Sequence, residues 1–380
     1  MTKLRVAIFL STLLVVGVVG TFVAFYARGY RFNLKTFKFL PNGILVIKSE
    51  PDGASIYING DLSAATNANI PLSPGTYDVE IRREGFSSWY KRLTIEKEIV
   101  TQVDASLFKT APSLSPITFS GADGPIQSEG GGKIAYTDSE GLWVIDVANL
   151  PLGFGREPRR VTDGNLDGST FQFSPNGNEI LLTTSQGIFL LQSTLFTPQS
   201  QRINIASRKS AIISDWEEEK KVKMTSVTKN LPGEISELFL QKTSSLTPAP
   251  DEQMLLYTAS TSATLPEGLV SPLPGASTQK QERTIKDGQT YVYDIKEDRN
   301  FLITDHDIKP HWLPTSRHLL LAEEGKVTIM DYDGTNRQEV YRGAYISPFA
   351  YPLSNSSKIL ILTNLGSDSS LPNLYSLTIK

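Results

Sequence analysis

The side chains best suited to hold a metal or move protons are three histidines, His306, His311 and His318, within 13 residues of one another. Three imidazoles suit a divalent cation if the backbone brings their nitrogens to about 2 Å from one ion. The local pattern opposes that. His306 falls in a loop entering a strand and His311 near that strand's far end, so five residues of extended chain carry them roughly 15 Å apart. His318 lies near His311, and two imidazoles make no site. Asp305 and Asp307 have the residue types of a glycosidase pair, but their ordinary role in such a loop is solvated charge. Asp331-Tyr332-Asp333-Gly334-Thr335-Asn336 opens like a calcium loop, yet Arg342 stands where the closing glutamate belongs. It reads as a tight turn. With no cysteine, thiol catalysis, disulfides and zinc-thiolate sites are excluded. There is no G-x-S-x-G elbow, phosphate loop or dinucleotide fingerprint. The expectation is therefore no catalytic residue, no metal and no cofactor.

These residues belong to a repeated element. From Pro310 to Gly343, Trp312 ends a strand, a polar turn follows, then apolar Leu319–Ala322, a charged turn, and a second apolar run, Val327–Met330. The DYDGTN turn leads into Gln338–Tyr341. The phrase recurs at FSPNGNEILLTTSQGIFLLQ from Phe173, and more loosely around Ile134, Leu255 and Ile359. Aligned on their second strands (Ile134, Ile180, Leu255, Leu319, Ile359), the copies follow at 46, 75, 64 and 40 residues. Removing Ala211–Lys242 and Ser262–Ile285 brings the long intervals to 43 and 40. A four-stranded unit at about 40–45 residues is the period of a β-propeller blade. The spacing predicts five blades, with strand-like Pro116–Phe119 lent to the last blade as its outermost strand. That closure leaves no open seam.

The insertions differ in kind. In Ala211–Lys242, Glu217/Lys221 and Glu219/Lys223 stand at i,i+4, and Pro232 precedes Ile235, Leu238 and Phe239 at helical spacing, predicting two short helices. Ser262–Ile285, rich in proline, serine and threonine without apolar periodicity, predicts a long loop. Both are expected on one face and in one sector beside Asp305–Asp307, with short turns such as Ser174–Gly177 opposite and Ala148–Pro158 the one long exception. That inserted face is the expected partner site.

Upstream, Val6–Ala27 is 22 residues without a charge, enough as a helix for the bilayer core. Without a clean small-x-small site it reads as an uncleaved signal anchor. Basic residues flank it on both sides, so the positive-inside rule does not orient it. From Gly43 the text turns to short alternating strands, ILVIKS, ASIYING, TYDVEIRR, WYKRLTIEK and VTQVDASLF, with turn signals at Asn59-Gly60 and Pro74-Gly75.

The phrase SEPDGASIYING followed by LSPGTYDVEIRREGFSSWYKRLTIEK resembles the PEGA domain family, with Pro51-Asp52-Gly53-Ala54 in place of the eponymous Pro-Glu-Gly-Ala. The resemblance spans Ile44 to about Leu107 and implies a small envelope-type β-sandwich without catalytic residues. Trp89 and Tyr90 are expected to pack on its sheet. FSPNGNEILL with DYDGTN resembles the TolB-like propeller family, whose repeats carry Ser-Pro-Asp-Gly and Asp-x-Asp-Gly turns.

The organisation expected is mainly β: residues 1–38 a transmembrane anchor and juxtamembrane segment, 43–108 a PEGA-like sandwich, 109–113 a linker, and 114–380 a propeller with insertions at 211–242 and 262–285. The first 38 residues hold six basic and no acidic side chains, leaving 31 basic against 40 acidic in the rest. A body of that sign is a poor nucleic-acid binder. The functional expectation is a membrane-anchored extracytoplasmic protein of the bacterial envelope, binding or scaffolding a protein or glycan partner. The alternatives are a carbohydrate-active enzyme at the propeller channel and a TolB-like component of an envelope complex.

Overall fold

The computed structural model describes residues 3–27, 30–33, 38–147, 157–271, 273, 277–367 and 371–380. The expectation for Ala148–Pro158 falls mostly outside the described residues. Two compact units form, Met1–Leu107 with Pro272–Gln279, and Phe108–Ser271 with Lys280–Lys380.

The first unit opens with helix α1, Lys3–Ala27. Its stretch Arg5–Ala27 has a mean hydropathy of 2.5 and buries none of its surface, the state of an apolar helix that has no protein core to enter. Arg31–Asn33 then pairs with Lys38–Leu40, a sheet that begins inside the segment read as merely juxtamembrane and runs past its end. Two sheets then enclose one core. The first orders Ala68–Leu72, Gly43–Glu50 and Val100–Ser106, the latter two parallel. The second orders Asp61–Ala65, Ser55–Ile58, Gly75–Arg82 and Trp89–Ile95. Alternation sends Leu45 and Ile47, Ile56 and Ile58, Val79 and Ile81 inward. Trp89 is buried as expected, but its neighbour Tyr90 faces out and is 47% exposed, because successive side chains on a strand take opposite faces.

The second unit is a propeller of antiparallel sheets, of which five among the described residues have three or four strands. In chain order the first comprises 123–163, the second 170–192, the third 243–304, the fourth 311–342, and the fifth 350–378 plus Ser113–Pro116. Four have four strands. The second has three, since after Gly187–Gln192 an irregular segment with a short 3-10 turn offers only an isolated bridge, Phe189 to Asn204. This corrects the expected four-stranded unit there. An N-terminal strand does close the fifth sheet at its outer edge, but it is Ser113–Pro116, paired antiparallel with Tyr375–Thr378, three residues earlier than the expected Pro116–Phe119 and reaching into the segment read as linker. Ile117 N donates to Leu374 O at 2.8 Å and Ala122 N to Pro372 O at 2.7 Å.

The second strands are apolar at both parities because each faces a neighbour on either side. In Glu179–Thr184, Ile180 and Leu182 pack toward the first sheet and Leu181 away from it. In His318–Glu323, Leu319 and Leu321 pack on the third sheet, Leu320 and Ala322 on the fifth. In Lys358–Thr363, Ile359 and Ile361 meet the fourth sheet, Leu360 and Leu362 the first. One junction lacks direct sheet-to-sheet packing. Between the second and third sheets stand α2, Lys209–Thr228, and α3, Gly233–Lys242. Ile212 and Trp216 of α2 cover Leu181, while Ile235 and Phe239 of α3 cover Leu255, Tyr257, Tyr291 and Tyr293. The two expected helices are present, but as a sector of the ring. Among the described residues neither expected i,i+4 pair closes, and the α2 lysine that does pair is Lys220, to Glu129 at 2.7 Å.

Ser262–Ile285 is less of a loop than its composition suggests. Ala263–Thr264 pairs with Thr284–Ile285, and Leu265 and Ile285 join the core under α3. Arg283, almost buried, donates from Nη1 to Asp298 Oδ1 and Pro266 O at 2.9 and 3.0 Å, and Tyr293 donates to the same Asp298 oxygen at 2.9 Å. Toward the tip, Thr278 and Gln279 belong to the first unit, where both side chains donate to Arg92 O at 3.0 Å.

Candidate functional site

The chemistry-bearing residues of the sequence do not converge. His306 is exposed beside Asp305. His318 is buried, its Nε2 3.5 Å from Asp331 Oδ1, its Nδ1 2.8 Å from Thr315 Oγ1 and its ring edge-on to Phe108. His311 stands edge-on to Tyr351, and burial, aided by nearby Lys309, holds its imidazole down at about 4. Among the described residues no three histidine, aspartate or glutamate side chains gather at metal-binding range. The DYDGTN turn is tied by its own atoms: Gly334 N donates to Asp331 O at 3.0 Å, Thr335 Oγ1 to Asp333 Oδ1 at 2.6 Å, and Asn336 Nδ2 to Asp331 Oδ2 at 2.9 Å. Gly334, at φ +82°, lies where a Cβ would approach Leu302 O to 3.0 Å.

What the ring does build is a cavity of about 660 Å³. Its wall is made by the innermost strands of the first, third, fourth and fifth sheets, through Gln127, Ser244–Pro248, His311–Trp312 and Pro352, and by one face of α2, through Lys220, Lys223, Met224 and Val227. Sheets place their first strands there because each second strand is consumed by packing on both faces. The wall is braced from behind: Gln127 Nε2 donates to Pro352 O at 3.0 Å, Trp312 Nε1 to Thr247 O at 3.2 Å, and Asp251 N to Ser316 Oγ at 3.0 Å. Each bond joins neighbouring sheets, so the rim is held by the ring itself.

The electrostatics are lopsided. The lining contains three lysines, Lys220, Lys223 and Lys309, and one carboxylate, Glu129. Glu129 is engaged by Lys220. Lys223 and Lys309 are exposed and, among the described residues, have neither ion-pair nor hydrogen-bond partner. Asp305 and Asp307 do not line the cavity. The strand Thr243–Pro248 pairs along one edge only, with Met254–Ala259, and Ser244, Ser245 and Thr247 are exposed on it. Such a site can hold a ligand by charge, main-chain hydrogen bonds and apolar contact. Sequence reasoning placed the partner site on the inserted face and named the propeller channel only as an alternative; of the expected face the cavity takes part of α2 but neither Ser262–Ile285 nor Asp305–Asp307, since its residues come from five separate stretches of chain. The one readable signal was the lysine run of α2, which looked like helix-surface pairing.

Residues 42–111 match the PEGA domain family. No curated protein matches the chain. Among solved structures, a putative TolB from Agrobacterium tumefaciens is similar at 16% identity, covering 66% of this chain and 76% of its own, with a TM-score of 0.23. TolB from Acinetobacter baumannii is similar at 12% identity, over 80% of this chain and 59% of its own, at 0.20. The β-propeller domain of Cps50 (Swd1) from Myceliophteria thermophila is similar at 10% identity, over 69% and 73%, at 0.19.

Proposed function

We propose that this chain is a membrane-anchored, extracytoplasmic binding or scaffolding protein of the bacterial envelope, whose propeller cavity beside α2 engages a partner. The cavity carries the reading: two lysines without partners among the described residues and an unpaired strand edge line a half-open space of about 660 Å³. Pockets of that size, largely preformed and with few polar groups, are the usual shape of a ligand site. We read it as a binding site and not as a carbohydrate-active centre, since glycoside hydrolysis uses two facing carboxylates and the single lining carboxylate is held by Lys220. The membrane anchor is supported by the length and hydropathy of Arg5–Ala27, and the location outside the cytoplasm by the PEGA match.

Because the chain has no cysteine, single thiols report cleanly. With Ser245→Cys in the full-length protein, a thiol-linked photocrosslinker in host membranes should yield a discrete adduct; from Glu339→Cys, on an outermost strand, it should yield none. Equal adducts from both positions, or none from Ser245→Cys, would refute the site. A membrane-impermeant maleimide added to intact spheroplasts should label Glu339→Cys, and labelling only after lysis would reverse the orientation.

A further inference from the structure

We infer that the cavity's ligand is an extended, acidic polypeptide segment, added edge-on to Thr243–Pro248 and neutralised by Lys223 and Lys309. The inference rests on the cavity being the binding site and names what enters it.

Three observations choose this occupant. The first is charge. The cavity holds two cations in surplus while the chain beyond its first 38 residues is acidic overall, at 31 basic against 40 acidic side chains. A local positive patch inside an acidic body concentrates the field at one place, which attracts anions there and discourages them elsewhere. The second is the strand edge. Thr243–Pro248 has six residues, about 20 Å of extended chain, and only its far edge is paired within the sheet. An unpaired edge beside an open space is a template for one more strand, giving affinity through main-chain hydrogen bonds. Of its carbonyls, Thr247 O already accepts from Trp312 Nε1, which fixes the strand without consuming the rest of the edge.

The third observation separates a peptide from an anionic glycan. Among the described residues Trp312 is the only aromatic side chain of the lining other than His311, and it is 9% exposed with its N–H committed. The site therefore offers no open ring face to a sugar. Its apolar surface comes from five prolines together with Met224, Val227, Leu246, Leu256 and Leu353, contacts that suit aliphatic side chains projecting from a strand. Lys223 comes from the helical sector, so recognition depends on the insertion that interrupts the sheets.

The test uses the full-length protein in detergent and a short fluorescent peptide alternating aspartate and valine, with anisotropy as the readout. Lys223→Ala combined with Lys309→Ala should weaken binding about tenfold, as expected for two screened charge contacts. Both lysines are exposed, so the double variant is expected to keep the thermal transition of the parent, measured alongside. The same peptide with asparagine for aspartate, or with N-methylated amides on alternate residues, should also bind weakly. Binding indifferent to the lysines or to N-methylation overturns the inference. Polygalacturonate binding more tightly than the peptide, with the same lysine dependence, replaces it with a glycan site. If no peptide binds while Ser245→Cys still crosslinks, this inference fails alone; without the crosslink the functional reading fails with it.

Discussion

Thr118 is the bolt of the ring closure, and its removal is a sharp test of it. The buried hydroxyl donates to Asn373 Oδ1 at 3.0 Å and accepts from Leu374 N at 2.9 Å, across 256 residues of sequence. Thr118→Val preserves shape and deletes the hydroxyl. Asn373 Oδ1 keeps a second donor, Gly121 N at 3.0 Å, so the loss falls on the N–H of Leu374, a residue with no exposed surface. One buried donor left unsatisfied costs about 1–3 kcal/mol. At about 2–4 °C per kcal/mol for a unit of this size, a 2 kcal/mol loss lowers the propeller transition by about 4–8 °C. Thr118→Ser keeps the hydroxyl and surrenders one methyl, about 0.8 kcal/mol, so it should melt between parent and valine variant. The assay is tryptophan fluorescence of the full chain during heating and in urea. A Trp89→Phe background leaves Trp143, Trp216 and Trp312 as reporters, all in the second unit. A valine variant as stable as the parent, or a serine variant weaker than the valine one, would show that the seam does not hold the ring.

Other substitutions probe other parts. Trp216→Ala strips the α2 contact over Leu181 and should cost about 3–5 kcal/mol; a change under 1 kcal/mol in urea melts would mean the helical sector is dispensable. Arg283→Ala leaves buried Asp298 without its ion partner, which should cost about 3–5 kcal/mol and speed proteolysis within 266–282, and unchanged cleavage would refute the clamp. Asp294 and His311 should tilt the pH profile in opposite directions. Burial pushes the Asp294 carboxyl up to about 6, so from pH 3.8 to 6 the folded state holds the extra proton and stability falls as pH rises. His311, held down at about 4, is neutral in the folded state where the unfolded chain is protonated, so between pH 4 and 6.5 stability rises with pH. Each contributes at most on the order of 3 kcal/mol. Asp294→Asn should leave a steeper rise with pH, and His311→Gln a fall; parallel profiles for the two variants in urea titrations would contradict both assignments.

The repeat was legible because second strands such as Lys358–Thr363 must be apolar on both sides, a continuous run that survives drift in the turns. The closure was legible in outline because a strand-like stretch ahead of the first copy has no partner within it, although the strand itself lies three residues earlier, at Ser113–Pro116. Asp61–Ala65 and Ala68–Leu72 were missed, since DLSAA and ANIPL are poor strand formers and only pairing with Ser55–Ile58 and Gly43–Glu50 makes them strands. The parallel pairing of Gly43–Glu50 with Val100–Ser106 has no local signature at all. Ile235 and Phe239 announced a helix but not what it would cover, because an amphipathic face states that it will be buried and not against which neighbour. The lining lysines had no shared motif, being neighbours only after the ring exists.

The shared fifth sheet also sets an order in time. Ser113–Pro116 leaves the ribosome early, yet the strand it pairs with, Asn373–Thr378, follows more than 250 residues later, as the Thr118–Leu374 separation records. Until then the early strand has no partner and the fifth sheet no outer member. Contacts so distant in sequence form slowly, and a waiting strand edge is an aggregation hazard. Synthesis interrupted before Asn373 therefore gives four sheets and an unclosed fifth, a species that quality control would meet as an exposed edge and that no amount of later folding time repairs.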